Sequence, residues 1–215
     1  MRSEELIRNT NKGQMTILHP SFLIIHSLQQ LDRHLLLAIN RAHSPLLDTA
    51  MVFASNRLVW FPVYAVLMGW LIYHFRWRAA LLLPLAIAAV GLADSITSRL
   101  FKPFFGRPRP CHDASLAHLL RLPDGCGGQF GFLSSHAANS MALAVFLAVV
   151  LPPGHCRGLK IGVFAWFFLL SYSRVYLGAH YPTDVLGGAA VGALMGRLAA
   201  VAYQRWAPRW WPVRA

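Results

Sequence analysis

Charged residues are scarce in this sequence, and acidic residues are the scarcest of them. Only 13% of the 215 residues are charged, whereas 56% are hydrophobic, and Asp and Glu together number 8. A soluble domain carries about 25% charged residues. The composition therefore excludes a soluble globular domain, a disordered chain and a coiled coil, and it indicates a polytopic membrane protein.

The charge that is present is mostly basic. Lys and Arg number 20, and the formal net charge is +12. These bases lie beside apolar runs and not on one polar face, which is how membrane proteins place them against anionic headgroups and cytoplasmic loops. We therefore expect the lipid bilayer as the partner, with no nucleic acid and no obligate protein partner.

Five stretches are long and apolar enough to predict transmembrane helices, which need about 20 mostly apolar residues. They are 58–75, 79–100, 136–151, 159–177 and 185–203. Residues 21–56 are apolar but interrupted by charges, which predicts two amphipathic helices at the membrane interface, with a sixth, irregular span as the alternative. The predicted fold class is all-α: a polytopic membrane helix bundle with about five transmembrane helices plus N-terminal interfacial helices.

This reading divides the chain into three parts. Residues 1–56 form a polar tail and the interfacial helices, residues 57–206 the transmembrane core, and residues 207–215 a basic aromatic tail. Because the first fifteen residues are polar, we expect internal spans to drive membrane insertion.

The connections between spans predict the orientation of the bundle. Basic residues follow the first, third and fifth spans, which are alternate connections and so lie on one side, the cytoplasmic side by the positive-inside rule. The loop 101–135 and the turn 178–184 then face the periplasm or exterior of a bacterial inner membrane. Cys111 and Cys126 lie in that outer loop and could pair there, while Cys156 would stay reduced; three unrelated thiols are the alternative.

Three polar clusters interrupt the apolar chain at 102–110, 132–136 and 173–184, and the alternation of spans places all three at the same membrane face. Lysine, arginine and serine side chains suit a phosphoryl dianion. A histidine with a nearby carboxylate suits an oriented nucleophile, and a second histidine suits an acid for the leaving oxygen. A metal site is disfavoured because carboxylates are not clustered and the nearby cations would repel a divalent ion.

The order and spacing of these clusters resemble the type-2 phosphatidic acid phosphatase superfamily, which includes bacterial lipid-phosphate and undecaprenyl-pyrophosphate phosphatases. The chain reads K-x6-RP at Lys102–Pro110, S-x-H at Ser134–His136 and SR-x5-H-x3-D at Ser173–Asp184. The resemblance covers about residues 56–205. In the middle motif Leu133 and Ser135 stand where the family usually has Pro and Gly, which puts the local backbone geometry in question or adds a hydroxyl to the site.

The resemblance implies roles for individual side chains. His180 is similar to the nucleophile that forms a phosphohistidine, Asp184 to its carboxylate partner and His136 to the general acid. The side chains similar to the phosphate-binding set are Lys102, Arg109, Ser134, Ser135 and Arg174. No metal and no cofactor are implied.

The predicted function is an integral-membrane, metal-independent phosphatase that hydrolyses a phosphomonoester or pyrophosphate headgroup of a lipid. Undecaprenyl pyrophosphate is the favoured substrate. Phosphatidylglycerophosphate, phosphatidate and lipid A phosphates remain open, as do a phosphotransferase with a lipid acceptor, a transporter or scaffold, and a haloperoxidase. Outside the motifs, we expect Asp94 and Arg99 to pair, because a charge within the membrane seeks a partner.

Overall fold

A computed structural model describes residues 20–152 and 156–207 of the chain. Its contacts form two units, Met1–Leu31 and Asp32–Ala215, and the site described below belongs to the second. The helices are α1 Pro20–Arg41, α2 Pro45–Ser55, α3 Phe61–Phe75, α4 Ala79–Ser95, α5 Lys102–Phe105, α6 Ser135–Val150, α7 Arg157–Tyr176 and α8 Pro182–Trp206. Across the described ranges there is no β-strand, only an isolated bridge between Pro108 and Phe130. The predicted all-α class is confirmed.

Each of the five predicted spans corresponds to a helix, α3, α4, α6, α7 and α8. By length and hydropathy, two helical stretches of the described chain could cross a membrane, Arg57–Phe105 and Pro182–Trp206. The first is 49 residues long, about 74 Å of helix, which is more than twice the ~30 Å hydrocarbon core. It contains the turn Arg76–Arg78 between α3 and α4, so it has the length of two passages. The number of spans stays a prediction.

The outer surfaces of these helices are apolar. Val66 is 74% exposed, Ile87 66% and Leu194 55%, although all three are aliphatic. Large exposed apolar areas on a helix bundle mark a surface that meets lipid or another protein. The interior is filled largely by alanines and by a few larger side chains such as Phe146 and Leu82, which are fully buried.

Helices α6 and α8 pack most extensively against each other, along glycines spaced four residues apart on α8. A Cβ added at Gly188, Gly192 or Gly196 would lie only 2.1 to 2.4 Å from a backbone oxygen of α6 or of Ser134, the residue before it. Side chains larger than hydrogen would therefore push the two backbones apart. Small residues permit this kind of close approach between helices in a membrane, and it fixes the N-terminal end of α6 beside that of α8.

Local signals set the helix starts that matter for the site. Ser134 precedes α6, and its hydroxyl accepts a hydrogen bond from the Ala137 amide at 3.5 Å, as an N-cap residue does. Pro182 is the first residue of α8, a position where its missing N–H costs nothing and its fixed φ suits the helix. The turn between α7 and α8 therefore ends sharply just after His180.

The N-terminal helices are joined to the loop between α5 and α6. The side chain of Asn40 donates to the carbonyls of Arg121 and Tyr176, at 2.8 and 2.7 Å. Asp48 accepts from Arg121 and from the Tyr176 hydroxyl, at 2.7 and 2.8 Å. The two helices predicted within 21–56 are thus present, and their position at a membrane interface stays a prediction. The predicted tail at 207–215 and the polar residues before Pro20 lie, apart from Ala207, outside the described residues.

Candidate active site

A cavity of about 340 Å³ lies where the N-terminal end of α6 meets the turn before α8. Most of the residues predicted for catalysis and phosphate binding line it: Lys102, Arg109, Ser135, His136 and His180. They come from three separate segments of the chain. The structure therefore brings together the three polar clusters that the sequence places at one face. Ser134, Arg174 and Asp184 are not among the lining residues.

Asp184 lies directly behind His180. The Nδ1 atom of His180 is 3.6 Å from Oδ2 of Asp184, which is longer than a hydrogen bond but close enough for a carboxylate to orient an imidazole. The same Oδ2 accepts the backbone N–H of Tyr181 at 3.0 Å. Both side chains are almost completely buried. The imidazole therefore presents its other nitrogen, Nε2, on the side away from the carboxylate.

The electrostatics of the site keep His180 uncharged. Burial lowers the pKa of His180 well below 6.5, and the positive charges of Arg174, Arg109 and Lys102 lower it further. Desolvation disfavours the imidazolium, and so does each nearby cation. A neutral imidazole has a free lone pair, which is the form that can act as a nucleophile.

The N-terminal end of α6 forms one wall of the cavity. Ser135 and His136 are its first residues and line the cavity, and the Ser134 amide donates to the carbonyl of Asp184 at 2.9 Å. The first N–H groups of a helix have no partner within the helix and favour an anion at that end. Ser134 is completely buried, so its hydroxyl serves the cap of α6.

Ser135 places a hydroxyl in the site where the family motif usually has glycine. Its Oγ lies 3.0 Å from Oγ1 of Thr97 and accepts from Nζ of Lys102 at 3.3 Å. The side chain thus links α6 to the helical segment that carries Lys102. The sequence left open whether this serine disturbs the site or adds a hydroxyl to it, and the structure shows the hydroxyl on the cavity wall.

The two predicted arginines differ in how they meet the cavity. Arg109 lines it, and its Nε donates to the carbonyl of Phe130 at 3.3 Å. Burial lowers the pKa of Arg109, and the charge of Asp184 acts in the opposite direction. Arg174 is 8% exposed and donates to the hydroxyl of Ser55, a lining residue. Its Nη1 atom is also 4.0 Å from Oδ2 of Asp124. It therefore stands behind the lining residue Ser55.

Gly131 allows Arg109 and Asp184 to approach each other. A Cβ on Gly131 would lie 3.0 Å from Oδ2 of Asp184 and 3.3 Å from Cγ of Arg109. The loop backbone thus passes between the cation and the carboxylate. This position was not singled out in the sequence.

Arg107 contacts Asp184, and the sequence analysis did not assign it to the site. Its guanidinium donates to Oδ1 of Asp184 at 2.8 Å and to Oδ2 of Asp32 at 2.7 Å. Asp32 in turn accepts from the backbone N–H of Thr183 at 2.9 Å, and Arg107 stacks 4.0 Å above the ring of Tyr181. The rarity of acidic residues could have pointed to this network, because Asp32, which pairs with Arg107, is one of only 8 acidic residues.

A second missed group lies on the cavity wall around Asp94. The expected pair with Arg99 is wrong: Oδ1 of Asp94 instead accepts from the side-chain amide of Asn139 at 3.0 Å. Asp94, Asn139 and the aromatic residues Trp60, Tyr64 and Trp166 all line the cavity. Arg99 lies in the π-helical segment Ile96–Phe101, is exposed and does not line the cavity, whereas Asp94 lines the cavity and faces α6.

The loop 101–135 contains a disulfide. Cys111 and Cys126 are bonded, with Cα atoms 5.8 Å apart, and Cys156 is free. Together with His112 these two cysteines form the one group of potential metal ligands within the described ranges. Metals bind the thiolate, which a disulfide does not offer. The cluster is therefore no metal site in this oxidised form.

Comparison with known proteins identifies the family. Residues 79–208 match the model of the PAP2 superfamily. The chain is 39% identical over 178 residues to the lipid A 4'-phosphatase of Bacteroides thetaiotaomicron, covering 81% of this chain and 78% of that protein. It is 26% identical over 158 residues to undecaprenyl-diphosphatase BcrC of Bacillus subtilis, with 73% and 75% covered.

The fold is similar to that of a crystallised transmembrane PAP2-type phosphatidylglycerolphosphate phosphatase from Bacillus subtilis. The TM-score is 0.63 at 25% sequence identity, with 86% of this chain and 89% of the other covered. The resemblance predicted from the three motifs is thus confirmed by the family model and by the helix arrangement. A match that spans well over half of the chain and contains every motif shows that this chain belongs to the PAP2 superfamily.

Proposed function

We propose that the chain is a membrane lipid phosphatase that acts through a phosphohistidine on His180. The single observation that carries this proposal is one cavity lined by a buried neutral imidazole, His180, a second imidazole, His136, and three cations, Arg57, Lys102 and Arg109. These groups are the nucleophile, acid and charge stabilisers that phosphoryl transfer needs.

In the proposed first step, Nε2 of His180 attacks the phosphorus of the lipid phosphate. The binding of the anionic phosphate favours a protonated His136. The P–N bond forms as the P–O bond to the lipid breaks, and this His136 gives its extra proton to the leaving oxygen and becomes neutral. Lys102 and Arg109 stabilise the charge on the remaining phosphoryl oxygens. Asp184 holds the imidazole of His180 in place and favours a proton on Nδ1.

In the second step, water replaces the lipid. His136, now neutral, takes a proton from the water as its oxygen attacks the phosphohistidine. The P–N bond breaks, inorganic phosphate leaves, and His180 and His136 return to their starting states. The side chains of the cavity account for every proton and bond in this cycle, so we expect no requirement for a divalent metal or a cofactor.

The proposed substrate is a phosphorylated glycolipid of the lipid A type. Its support is the 39% identity to a protein named lipid A 4'-phosphatase over 81% of this chain. Undecaprenyl pyrophosphate, favoured on the sequence alone, is the second candidate, and the 26% identity to an undecaprenyl-diphosphatase supports it. Both carry a phosphate at a membrane surface, so one assay compares them.

The proposed location is the bacterial inner membrane with the cavity facing the periplasm. The positive-inside pattern of the connections supports this orientation, as does a disulfide in the loop that also carries Arg109, because disulfides persist in oxidising compartments. A reporter inserted in the 113–123 loop should be exoplasmic, and one fused after Phe75 should be cytoplasmic.

The test is phosphate release from purified lipid phosphates in detergent, with EDTA present. The wild-type protein should release phosphate, His180→Ala should show none above background, and rapid quenching of the wild type should trap an acid-labile phosphoenzyme. His118→Ala is the matched control, since His118 is exposed in the outer loop and should leave turnover unchanged. Turnover by His180→Ala, or complete loss of wild-type turnover in EDTA, would contradict the proposal.

A further inference from the structure

We propose that Asp94, Asn139 and Trp166 form a subsite for a neutral, hydroxyl-bearing group, a sugar, to which the scissile phosphate is attached. This inference rests on the proposed function and names the chemistry of the group next to the phosphate. All three residues line the same cavity as His136 and His180. None of the three belongs to the family motifs found in the sequence.

The position of the subsite follows from the helices. Asn139 comes three residues after His136 on α6, a rise of about 4.5 Å toward the middle of the bundle. Asp94 lies near the end of α4, before the π-helical segment Ile96–Phe101 that leads to Lys102. The carboxylate and the amide are hydrogen-bonded at 3.0 Å. The subsite therefore lies about one helical turn deeper than the phosphate-binding residues.

Asp94 supplies the negative charge of this wall. Among the described residues it is the only acid that lines the cavity, and it forms no ion pair within 4.0 Å, although the cations Arg57, Lys102 and Arg109 line the same cavity and its charge attracts that of Lys102. A carboxylate in a partly buried site repels a neighbouring anion strongly, because the dielectric screening is weaker than in water. It accepts hydrogen bonds from hydroxyl groups, and such charge-assisted bonds are stronger than neutral ones.

Two further polar atoms on this wall have no partner in the described part of the protein. They are the Oδ1 acceptor of Asn139 and the Nε1 donor of Trp166, both buried. Buried polar atoms in proteins are almost always hydrogen-bonded. Because neither atom is exposed to the cavity, each needs a side-chain rotation to reach a sugar hydroxyl, and the charged acceptor on this wall is the Asp94 carboxylate.

Aromatic rings complete the wall. Trp166 packs edge-on against Trp60 and against Tyr64, each with ring centres 5.8 Å apart. Indole and phenol rings combine an apolar face with a polar edge, so they can contact the C–H face of a sugar while its hydroxyls bond to polar neighbours. The Trp60 indole N–H is already used, since it donates to the Ala54 carbonyl.

A neighbouring apolar cavity sets the order of the substrate's parts. It measures about 430 Å³, lies between α3, α4 and α6, and shares Tyr64, Asn139 and Trp166 with the first cavity. From the phosphate-binding residues toward the second cavity, the lining therefore changes from cationic to polar and aromatic, and then to apolar. A substrate with a sugar between phosphate and acyl chains fits this order, whereas a pyrophosphate joined directly to an isoprenoid does not.

The experiment compares three substrates in detergent: a 4'-phosphorylated acyl-glucosamine lipid, phosphatidate and undecaprenyl pyrophosphate. Asp94→Asn keeps the shape of the side chain but removes its charge. We expect the ratio of kcat/KM for the glycolipid to that for phosphatidate to fall about tenfold, mainly through KM, as loss of a charge-assisted hydrogen bond implies. The ratio for undecaprenyl pyrophosphate over phosphatidate should rise.

Two further variants make the result decisive. Trp166→Phe removes the indole N–H and keeps an aromatic ring, and it should lower the glycolipid ratio about threefold to tenfold. Asp124→Asn removes an equal charge from a 48%-exposed carboxylate in the outer loop and should leave both ratios unchanged. Phosphatidate turnover shows that each variant is folded.

Each outcome has one meaning. Equal losses on all three substrates, or unchanged ratios, in Asp94→Asn and Trp166→Phe would overturn the sugar subsite while leaving the proposed phosphatase intact. A wild-type protein that hydrolyses none of the three would overturn the phosphatase and the subsite together. A substrate-selective loss that Asp124→Asn does not share supports both.

Discussion

Asp184 and Asp94 are both carboxylates close to the same cavity. They differ in how far neighbouring groups compensate their negative charge. Asp184 is completely buried and is held by the Arg107 guanidinium and the Tyr181 amide. Asp94 is only partly buried and receives one neutral hydrogen bond, from Asn139. A carboxylate whose charge is already compensated can position its neighbour, whereas one without a cation is left to meet a ligand.

The largest expected effect separates these two roles. Asp184→Asn should lower kcat for every lipid phosphate by about 10³–10⁴, as loss of the orienting carboxylate does in a comparable nucleophile–histidine system. Asp94→Asn should instead change the ranking of substrates. The measurement is steady-state kinetics of both variants on the same three lipids. If the two variants show the same pattern, the contrast between the two carboxylates is wrong.

The second prediction tests how much the stability of the fold depends on Arg107, the cation that pairs with Asp184. Arg107→Met should destabilise the fold by about 3–5 kcal/mol, because it leaves Asp32 and Asp184 buried without their partner. Unfolding in detergent, followed by tryptophan fluorescence, measures this change. Arg33→Met is the matched control, since its pair with Asp113 is 47% exposed on the arginine side and should contribute less than about 1 kcal/mol. Equal effects of the two substitutions would show that the buried network is not special.

The smallest expected effect is the pH dependence of the stability that His180 contributes. Because burial and cations lower the pKa of His180 well below 6.5, the folded protein should keep this imidazole neutral at pH 6, where an unfolded chain has it mostly protonated. The unfolded state then binds the extra proton, so the contribution of this group to stability falls as pH drops through 6.5.

Nuclear magnetic resonance of ¹⁵N-histidine protein checks this state directly. The signal that disappears in His180→Ala should report a neutral ring at pH 6.0. A protonated ring at that pH would mean that the cations of the site do not act on His180. It would also weaken the contrast between the surroundings of Asp184 and those of Asp94.

The helices and the main site were predictable because their signals are local. Apolar runs of about 20 residues predict α3, α4, α6, α7 and α8, and short spacings bring His180 and Asp184 together within one turn. The alternation of spans was enough to place the clusters of Lys102, His136 and His180 on one face. These conclusions need no knowledge of how the helices pack.

The two missed networks depend on contacts between distant parts of the chain. Asp32 meets Arg107 across 75 positions and Thr183 across 151, and no local pattern connects them. Asp94 finds Asn139 across 45 positions and not the nearby Arg99. Such partners become visible only once the packing of α4 on α6, and of α1 against the turn before α8, is known.

The glycine contacts of α8 have a consequence for how a lipid enters. Backbone touches backbone at Gly188, Gly192 and Gly196, so α6 and α8 cannot slide or roll past each other without breaking several close contacts at once. Helix α6, which carries His136, and helix α8, which carries Asp184, therefore form one rigid pair. Helix α3 packs on the bundle mainly through α4 and the short segments at its two ends. If a bulky lipid requires the bundle to open, separation of α3 would break fewer contacts than separation of α6 from α8, and it would leave the reacting groups in place.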